Sequence, residues 1–205
     1  MKRKKIVAGS KDVLFIIDML KDFDFGGALP VLGIEGETDP EQQVELILEL
    51  IKQPFGLFVF TGDEHPSDHI EHTIYGSHAL AGAEGAKMLD QIQQAFYILP
   101  AEKKLWFTKG QDRRLIGYSI AFSLYYAELI DDLRKGGFKR LFFCGRAFTH
   151  CVGESAIDAK GQISFEVFVI RDLSLSLPAP IGDVARMNLL LDAMKIEQIS
   201  YEDLV

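Results

Sequence analysis

The chain has 205 residues, 48% apolar and 25% charged, enough to bury one sizeable core, which sets the expectation of a single domain over 1–205. A net charge of −8 and a pI near 5.1 exclude nucleic acid and anionic membrane as principal partners. Two cysteines, and the lack of any uncharged apolar run of about 18 residues, point to a reducing cytoplasmic setting without a membrane span.

The chain opens on the basic stretch Met1-Lys2-Arg3-Lys4-Lys5, which looks like the start of a signal peptide, but no apolar stretch follows it. Residues 13–17 are the first of several short, continuously apolar runs; the others are 57–60, 105–107, 140–144 and 165–170, with 94–99 a weaker sixth. Runs apolar at nearly every position suit strands covered on both faces, as in a parallel sheet. Between them lie helix signals. Asp39-Pro40 opens a helix in N-cap and N1 order, continued by Val44, Ile47, Leu48 and Ile51. A second helix is expected from Ser119 to Lys135, stopped by Gly136-Gly137, a third from near Cys151, and a fourth from Ile181 to Met194. The stretch 62–85 reads as a long irregular loop, and such loops inside compact domains are commonly functional. Strand alternating with helix predicts an α/β fold: a single-domain, doubly wound (Rossmann-like) parallel sheet of about six strands with helices on both faces.

In such a sheet ligands sit beyond the C-terminal strand ends, so the polar residues there are the place to search. Asp18 ends the first strand, Asp63 and His65 follow the second, Lys109 follows the 105–107 run, and a loop from Cys144 reaches Cys151. A desolvated Asp18 suits general-base work, or it simply closes the strand as a turn residue. Lys109 could stabilise thiolate or oxyanion charge, or be a solvated lysine. Cys151 at a helix N-terminus would have its thiol pKa lowered, or be a small buried hydrophobe, as Cys144 inside its strand is expected to be. His65, His69, His72 and His78 fall within fourteen residues. With Asp63 they suit Zn, Fe or Mn, with His72 as a bystander; the alternative is a polar surface loop. His150 beside Cys151 could serve as an acid or base, but adjacent side chains diverge, which favours a wall or supporting position. The phosphate-cradling and zinc-protease motifs G-x-G-x-x-G, G-x-x-x-x-G-K-[ST] and H-E-x-x-H are absent, as is G-x-S-x-G.

Five pieces then stand in order: Asp18-Met19-Leu20-Lys21-Asp22-Phe23 with Gly26-Gly27-Ala28-Leu29; Thr61-Gly62-Asp63-Glu64-His65-Pro66 with His69; Tyr75-Gly76-Ser77-His78; Thr108-Lys109-Gly110; and Cys144-Gly145 through Cys151-Val152. The set, spanning residues 12–177, resembles the isochorismatase-like cysteine hydrolases, most closely their nicotinamidase/pyrazinamidase branch. The pieces look like that family's D-x-Q-N-D-F with G-G-A-L, D-W-H-P-x-x-H, W-P-x-H, K-G and C-G-x-A-T-D-Y-C-V. The resemblance implies the isochorismatase-like hydrolase fold, a catalytic triad of Asp18, Lys109 and Cys151, and an oxyanion hole from the N–H groups of Ala147 and Cys151. It implies one divalent metal, zinc first with iron or manganese as alternatives, on Asp63, His65 and His78, leaving His69 open as a further ligand. A cis peptide would fall at Arg146–Ala147, and Phe23, Leu29, Tyr75 and His150 would face the substrate.

The implied activity is hydrolysis of a linear amide: nicotinamide to nicotinate and ammonia through a cysteine thioester, a step of NAD salvage. Leu20-Lys21, Glu64, Tyr75-Gly76 and Thr149-His150 depart from the pattern. They keep open a related hydrolase acting on another small amide or ureido compound. A non-catalytic metal- or ligand-binding module is a third reading. Neither the oligomeric state, with a homo-oligomer left open, nor any regulator is readable.

Overall fold

The structure is a computed structural model describing residues 5–162 and 164–204, so the basic opening at 1–4 lies outside the described residues. Six parallel strands make one sheet: β1 (Asp12–Ile17), β2 (Leu57–Asp63), β3 (Lys104–Lys109), β4 (Arg140–Arg146), β5 (Glu166–Leu175) and β6 (Glu197–Ile199). Their order is β3-β2-β1-β4-β5-β6, so the winding reverses between β1 and β4 and opens a crevice at their C-terminal ends. Asp18 directly follows β1, and Cys151 lies shortly after β4.

The helices are α1 (Pro40–Ile51), α2 (His72–Tyr75), α3 (Asp90–Ile98), α4 (Tyr126–Lys135), α5 (Gly153–Gly161) and α6 (Val184–Ala193). On one face, Ile47 and Leu50 of α1 and Ile92 of α3 pack with Leu14, Phe58 and Phe142. On the other, Leu129 of α4, Ala156 of α5 and Leu191 of α6 pack with Phe15, Val59 and Phe143. Alternate residues of each strand serve opposite cores, which is why the apolar runs show no gaps. Among the described residues, no helix is long and apolar enough to cross a membrane.

Four sequence expectations shift. Residues 94–99 belong to α3 and its exit rather than a strand: Ile92 is buried and Phe96 meets Phe60 edge-on at 5.1 Å, whereas Tyr97 and Ile98 face solvent, a helical rather than a sheet pattern. The sixth strand is β6, whose short, polar Glu197-Gln198 gives no apolar signal; it is held by parallel pairing with β5. The helix expected from Ser119 begins at Tyr126, where the buried stripe Tyr126, Leu129, Ile130 and Leu133 starts; Ser119 caps a separate short turn, its Oγ accepting from Ala121 N–H at 3.0 Å. The last helix starts after Asp183, whose side chain accepts from Arg186 N–H at 2.8 Å, and not at Ile181.

Gly145 fixes how closely β4 approaches β1. Its φ is +124°, and a Cβ there would overlap the backbone of Ile17. Gly145→Ala is therefore expected to leave little folded protein, readable as loss of a cooperative thermal transition by circular dichroism.

Candidate functional site

The strand ends deliver four side chains to the crevice. Asp18 takes φ +50°, a left-handed conformation that aspartate tolerates better than most residues. Thr61 at the end of β2 fixes it from both sides: its hydroxyl accepts from Asp18 N–H at 3.2 Å and donates to Asp18 Oδ1 at 2.6 Å. Asp63 and Lys109 end β2 and β3 in direct register. Lys109 is 1% exposed, with its Nζ 2.8 Å from Asp18 Oδ2, 2.5 Å from Asp63 Oδ1 and 3.4 Å from Cys151 Sγ. Asp18, Asp63 and Cys151 each bring a donor atom within 4.8 Å of the others around this ammonium, so the Asp18 carboxylate lies beside the sulfur.

The electrostatics follow from burial. Burial raises the Asp18 carboxyl above its ordinary value, while Lys109 pulls it back down. The two carboxylates beside Lys109 outweigh its burial and hold its ammonium charged. Cys151 does not open α5 directly; it sits in a wide π-helical turn, Phe148–Val152, before Gly153. Burial pushes its thiol well above the ordinary cysteine value, with Lys109 only partly opposing. The lowered thiol pKa expected from the sequence is thus reversed: the sulfur rests protonated, and Asp18, also raised, is the group placed to take the proton. Cys144 is a fully buried thiol inside β4, as expected, and it too is pushed up by burial.

The histidine segment folds over this group. His65 Nδ1 donates to Gly110 O at 2.8 Å and His78 Nδ1 to Gly76 O at 2.9 Å, so both rings carry their proton on Nδ1 and leave the Nε2 lone pair bare. Gly110 has φ +70° and lies against the His65 ring, leaving no room for a Cβ. Burial lowers both imidazoles, His65 to about 3, which keeps them neutral. Asp63 Oδ2 lies 3.9 Å from His65 Nε2.

Glu71, which the sequence reading missed, completes the group: its Oε2 is 3.7 Å from His65 Nε2 and 4.0 Å from His78 Nε2. Burial, helped by the charge of Asp63, pushes its carboxyl up to about 7. Donors about 2.1 Å from one ion stand roughly 3–4 Å apart, so these separations fit a shared divalent cation. The buried His65 Nε2 has no hydrogen-bond partner among the described residues, an orphan that a metal would satisfy.

His69 stacks on His65 with centroids 4.1 Å apart, and its Nδ1 accepts from Glu71 N–H at 3.3 Å. That puts its proton on Nε2, and the ring lies close enough for one of its nitrogens to fall within 4.8 Å of donors from His65 and Glu71. His72, half-buried, faces the carbonyls of Ser67 and His78 at 3.3 and 3.2 Å and bridges the loop.

A small cavity opens over Cys151 and Ala147. Phe23 and Leu29 line one side, with Val31 and Leu177. Tyr75 and His150 line another, joined by Tyr118, which no sequence signal marked. Tyr75 Oη is 2.6 Å from Tyr118 Oη and 3.3 Å from His150 Nε2, so this wall is polar and hydrogen-bonded. Asp63, Glu71 and His78 line the cavity near the same floor. Leu20 is fully buried with Phe23 and Val31 in a separate apolar cluster, and neither it nor Glu64 reaches the cavity. Asp22 Oδ2 accepts from Ala79 N–H at 2.7 Å, pinning the Phe23 loop to the residue after His78. The peptide between Arg146 and Ala147 is cis.

No family model matches this chain, and a comparison with curated proteins returns no match. Solved structures do match. PnC1 from L. infantum, in complex with nicotinate, is similar over 98% of each chain, with a TM-score of 0.80 and 26% identity. Pyrazinamidase of Pyrococcus horikoshii in complex with zinc is similar over 93% of this chain and 99% of its own, with a TM-score of 0.69 and 28% identity. An Acinetobacter baumanii nicotinamidase pyrazinamidase shares the fold over 95% and 98%, at 21% identity and a TM-score of 0.78. The reversed winding, the strand-end crevice and these likenesses together give the chain the isochorismatase-like hydrolase fold, and its structural neighbours include nicotinamidases and pyrazinamidases.

Proposed function

We propose that the protein is a metal-dependent cysteine amidohydrolase that converts nicotinamide and water to nicotinate and ammonia. The observation that carries this reading is Lys109, buried between Asp18, Asp63 and Cys151 and so joining the thiol to the histidine group. The nicotinate in the L. infantum structure and the zinc in the Pyrococcus horikoshii structure support the choice of substrate and metal.

Asp18 takes the Cys151 proton as the sulfur attacks the carboxamide carbon. The N–H groups of Ala147 and Cys151 receive the oxyanion, and the Lys109 charge stabilises it. Asp18 returns the proton to the departing nitrogen, ammonia leaves, and the acyl group remains on sulfur as a thioester. A water, deprotonated by Asp18, attacks the thioester; the thiolate leaves and regains that proton, releasing nicotinate. Asp63, His65, His78 and Glu71 would hold the metal, zinc first, and His69 packs beside them with its proton on Nε2. When bound, the metal supplies Lewis-acid polarisation and an anchor for a ring heteroatom of the substrate.

Glu71→Gln tests the added ligand. Zinc affinity should fall at least about tenfold. In the wild type the proton competes for a carboxyl held at about 7, so affinity falls as pH drops through that value, and this limb should vanish in the variant. Competition with a chelator reads both, and unchanged affinity would remove Glu71 from the set.

A second reading, another small amide or ureido substrate, is favoured by the Tyr75–Tyr118–His150 wall, where a polar surface replaces tryptophan and tyrosine of the family pattern. Ammonia release over a panel of aromatic amides, aliphatic amides and ureido compounds separates the two. Nicotinamide should lead; turnover of others with none on nicotinamide would favour the second reading.

A further inference from the structure

Arg146 stands at the end of the apolar strand β4, where an aliphatic residue would pack as well, yet its guanidinium is fully buried. Asp24 is its ion partner, at 2.9 Å from Nη1, and that carboxylate is itself 38% exposed. Burying a charge so weakly paired is poor stabilisation, so its use is sought in what it organises. Nη1 also donates to Phe23 O at 2.8 Å, the carbonyl that accepts Val31 N–H at 3.0 Å; both residues line the cavity. Nε donates to Gln43 Oε1 at 2.9 Å, and Gln43 Nε2 donates to Gly145 O at 3.1 Å and Leu173 O at 3.0 Å. One side chain thus ties the loop carrying the Phe23 wall to the turn carrying Ala147, while Arg146 itself is absent from the cavity lining.

We propose that Arg146 is a positioning residue: through Phe23 O, Asp24 and Gln43 it holds the Phe23 wall at a fixed distance from the Ala147 and Cys151 floor. This rests on the amidase reading of the cavity. The two arms act on different constants. The Asp24 arm fixes the wall, which touches substrate equally in ground and transition states, so its loss raises KM and spares kcat. The Gln43 arm fixes the turn that presents Ala147 N–H, so losing it as well lowers kcat, because small displacements of catalytic groups are costly.

The test is steady-state nicotinamide hydrolysis, with active sites counted by iodoacetamide incorporation at Cys151. Asp24→Ala should raise KM at least about fivefold, with kcat per counted site within about twofold of wild type. Asp24→Asn keeps an oxygen acceptor for Arg146 Nη1 and should restore KM. Arg146→Met should raise KM at least as far and lower kcat about tenfold or more. A purely structural role would reduce the number of counted sites and leave both constants of the remaining sites unchanged. Wild-type KM in Asp24→Ala, or no rescue by Asp24→Asn, overturns the inference; this pair decides it even if Arg146→Met does not fold. A wild-type protein inactive on nicotinamide contradicts the reading of the site and this inference with it, whereas an active wild type with constants that move in step contradicts this inference alone.

Discussion

Cys151→Ala is expected to lower kcat/KM for ammonia release from nicotinamide by at least about 10⁴-fold while leaving the fold and metal content intact. The sulfur is the one atom removed, and Cys151 is 6% exposed beside Phe148 and Val152 in a packed cluster, so the stability change is small. Asp18, Lys109 and the histidine group all remain. Any activity left measures what they achieve without a nucleophile. Ammonia release at the wild-type rate would end the cysteine mechanism and leave the metal group as the seat of the chemistry. Cys144 cannot substitute for it, being enclosed in β4 with its thiol donating weakly to Phe15 O at 3.6 Å.

Lys109→Met carries the second large effect, on stability and rate together. It leaves Asp18 and Asp63, both buried, facing each other without their cation. Breaking a buried pair in this way costs about 3–5 kcal/mol, a large share of the ~5–15 kcal/mol that stabilises a domain. The variant should therefore melt well below the wild type yet still fold. Its rate should drop about 10²–10³-fold for loss of oxyanion and thiolate stabilisation.

The pH profile adds a sign. Asp18 must be ionised to take the thiol proton, so activity is lost as pH falls through its pKa. Burial and Asp63 raise that pKa and Lys109 lowers it. Without Lys109 the acid limb of kcat/KM must move to higher pH. A limb that stays in place, or moves to lower pH, contradicts Asp18 as the base.

How much of this was legible depended on where each residue lies. Asp18, Asp63, Lys109 and the approach to Cys151 were readable because each follows an apolar run, and a parallel sheet sends every strand end to one rim. Their convergence on one rim is what the structure reports. Glu71 was not readable. It sits between Ile70 and His72 like any loop carboxylate, and only the fold-back into α2 brings it to His65 and His78. Tyr118 lies in an irregular stretch with no periodicity, so its meeting with Tyr75 is a purely tertiary event.

Arg146 did carry a signal, a charge ending a strand otherwise apolar from Leu141 to Cys144, which marks a residue buried for a reason other than packing. Residues 94–99 misled because a short apolar run has no period of its own, and the solvent exposure of Tyr97 and Ile98 is decided by what α3 packs against. The thiol pKa was misjudged for a different reason. A helix N-terminus was assumed to act on the sulfur, whereas Cys151 sits in the π-helical turn before α5 and its burial outweighs the nearby ammonium.

The most direct measurement of the central claim is ammonia release from nicotinamide by the purified, zinc-loaded wild-type protein, with nicotinate counted alongside. Equal amounts of ammonia and nicotinate, stopped by iodoacetamide as Cys151 is alkylated, is the result this account predicts. A folded, zinc-loaded protein with an alkylatable Cys151 that releases no ammonia from nicotinamide would contradict it.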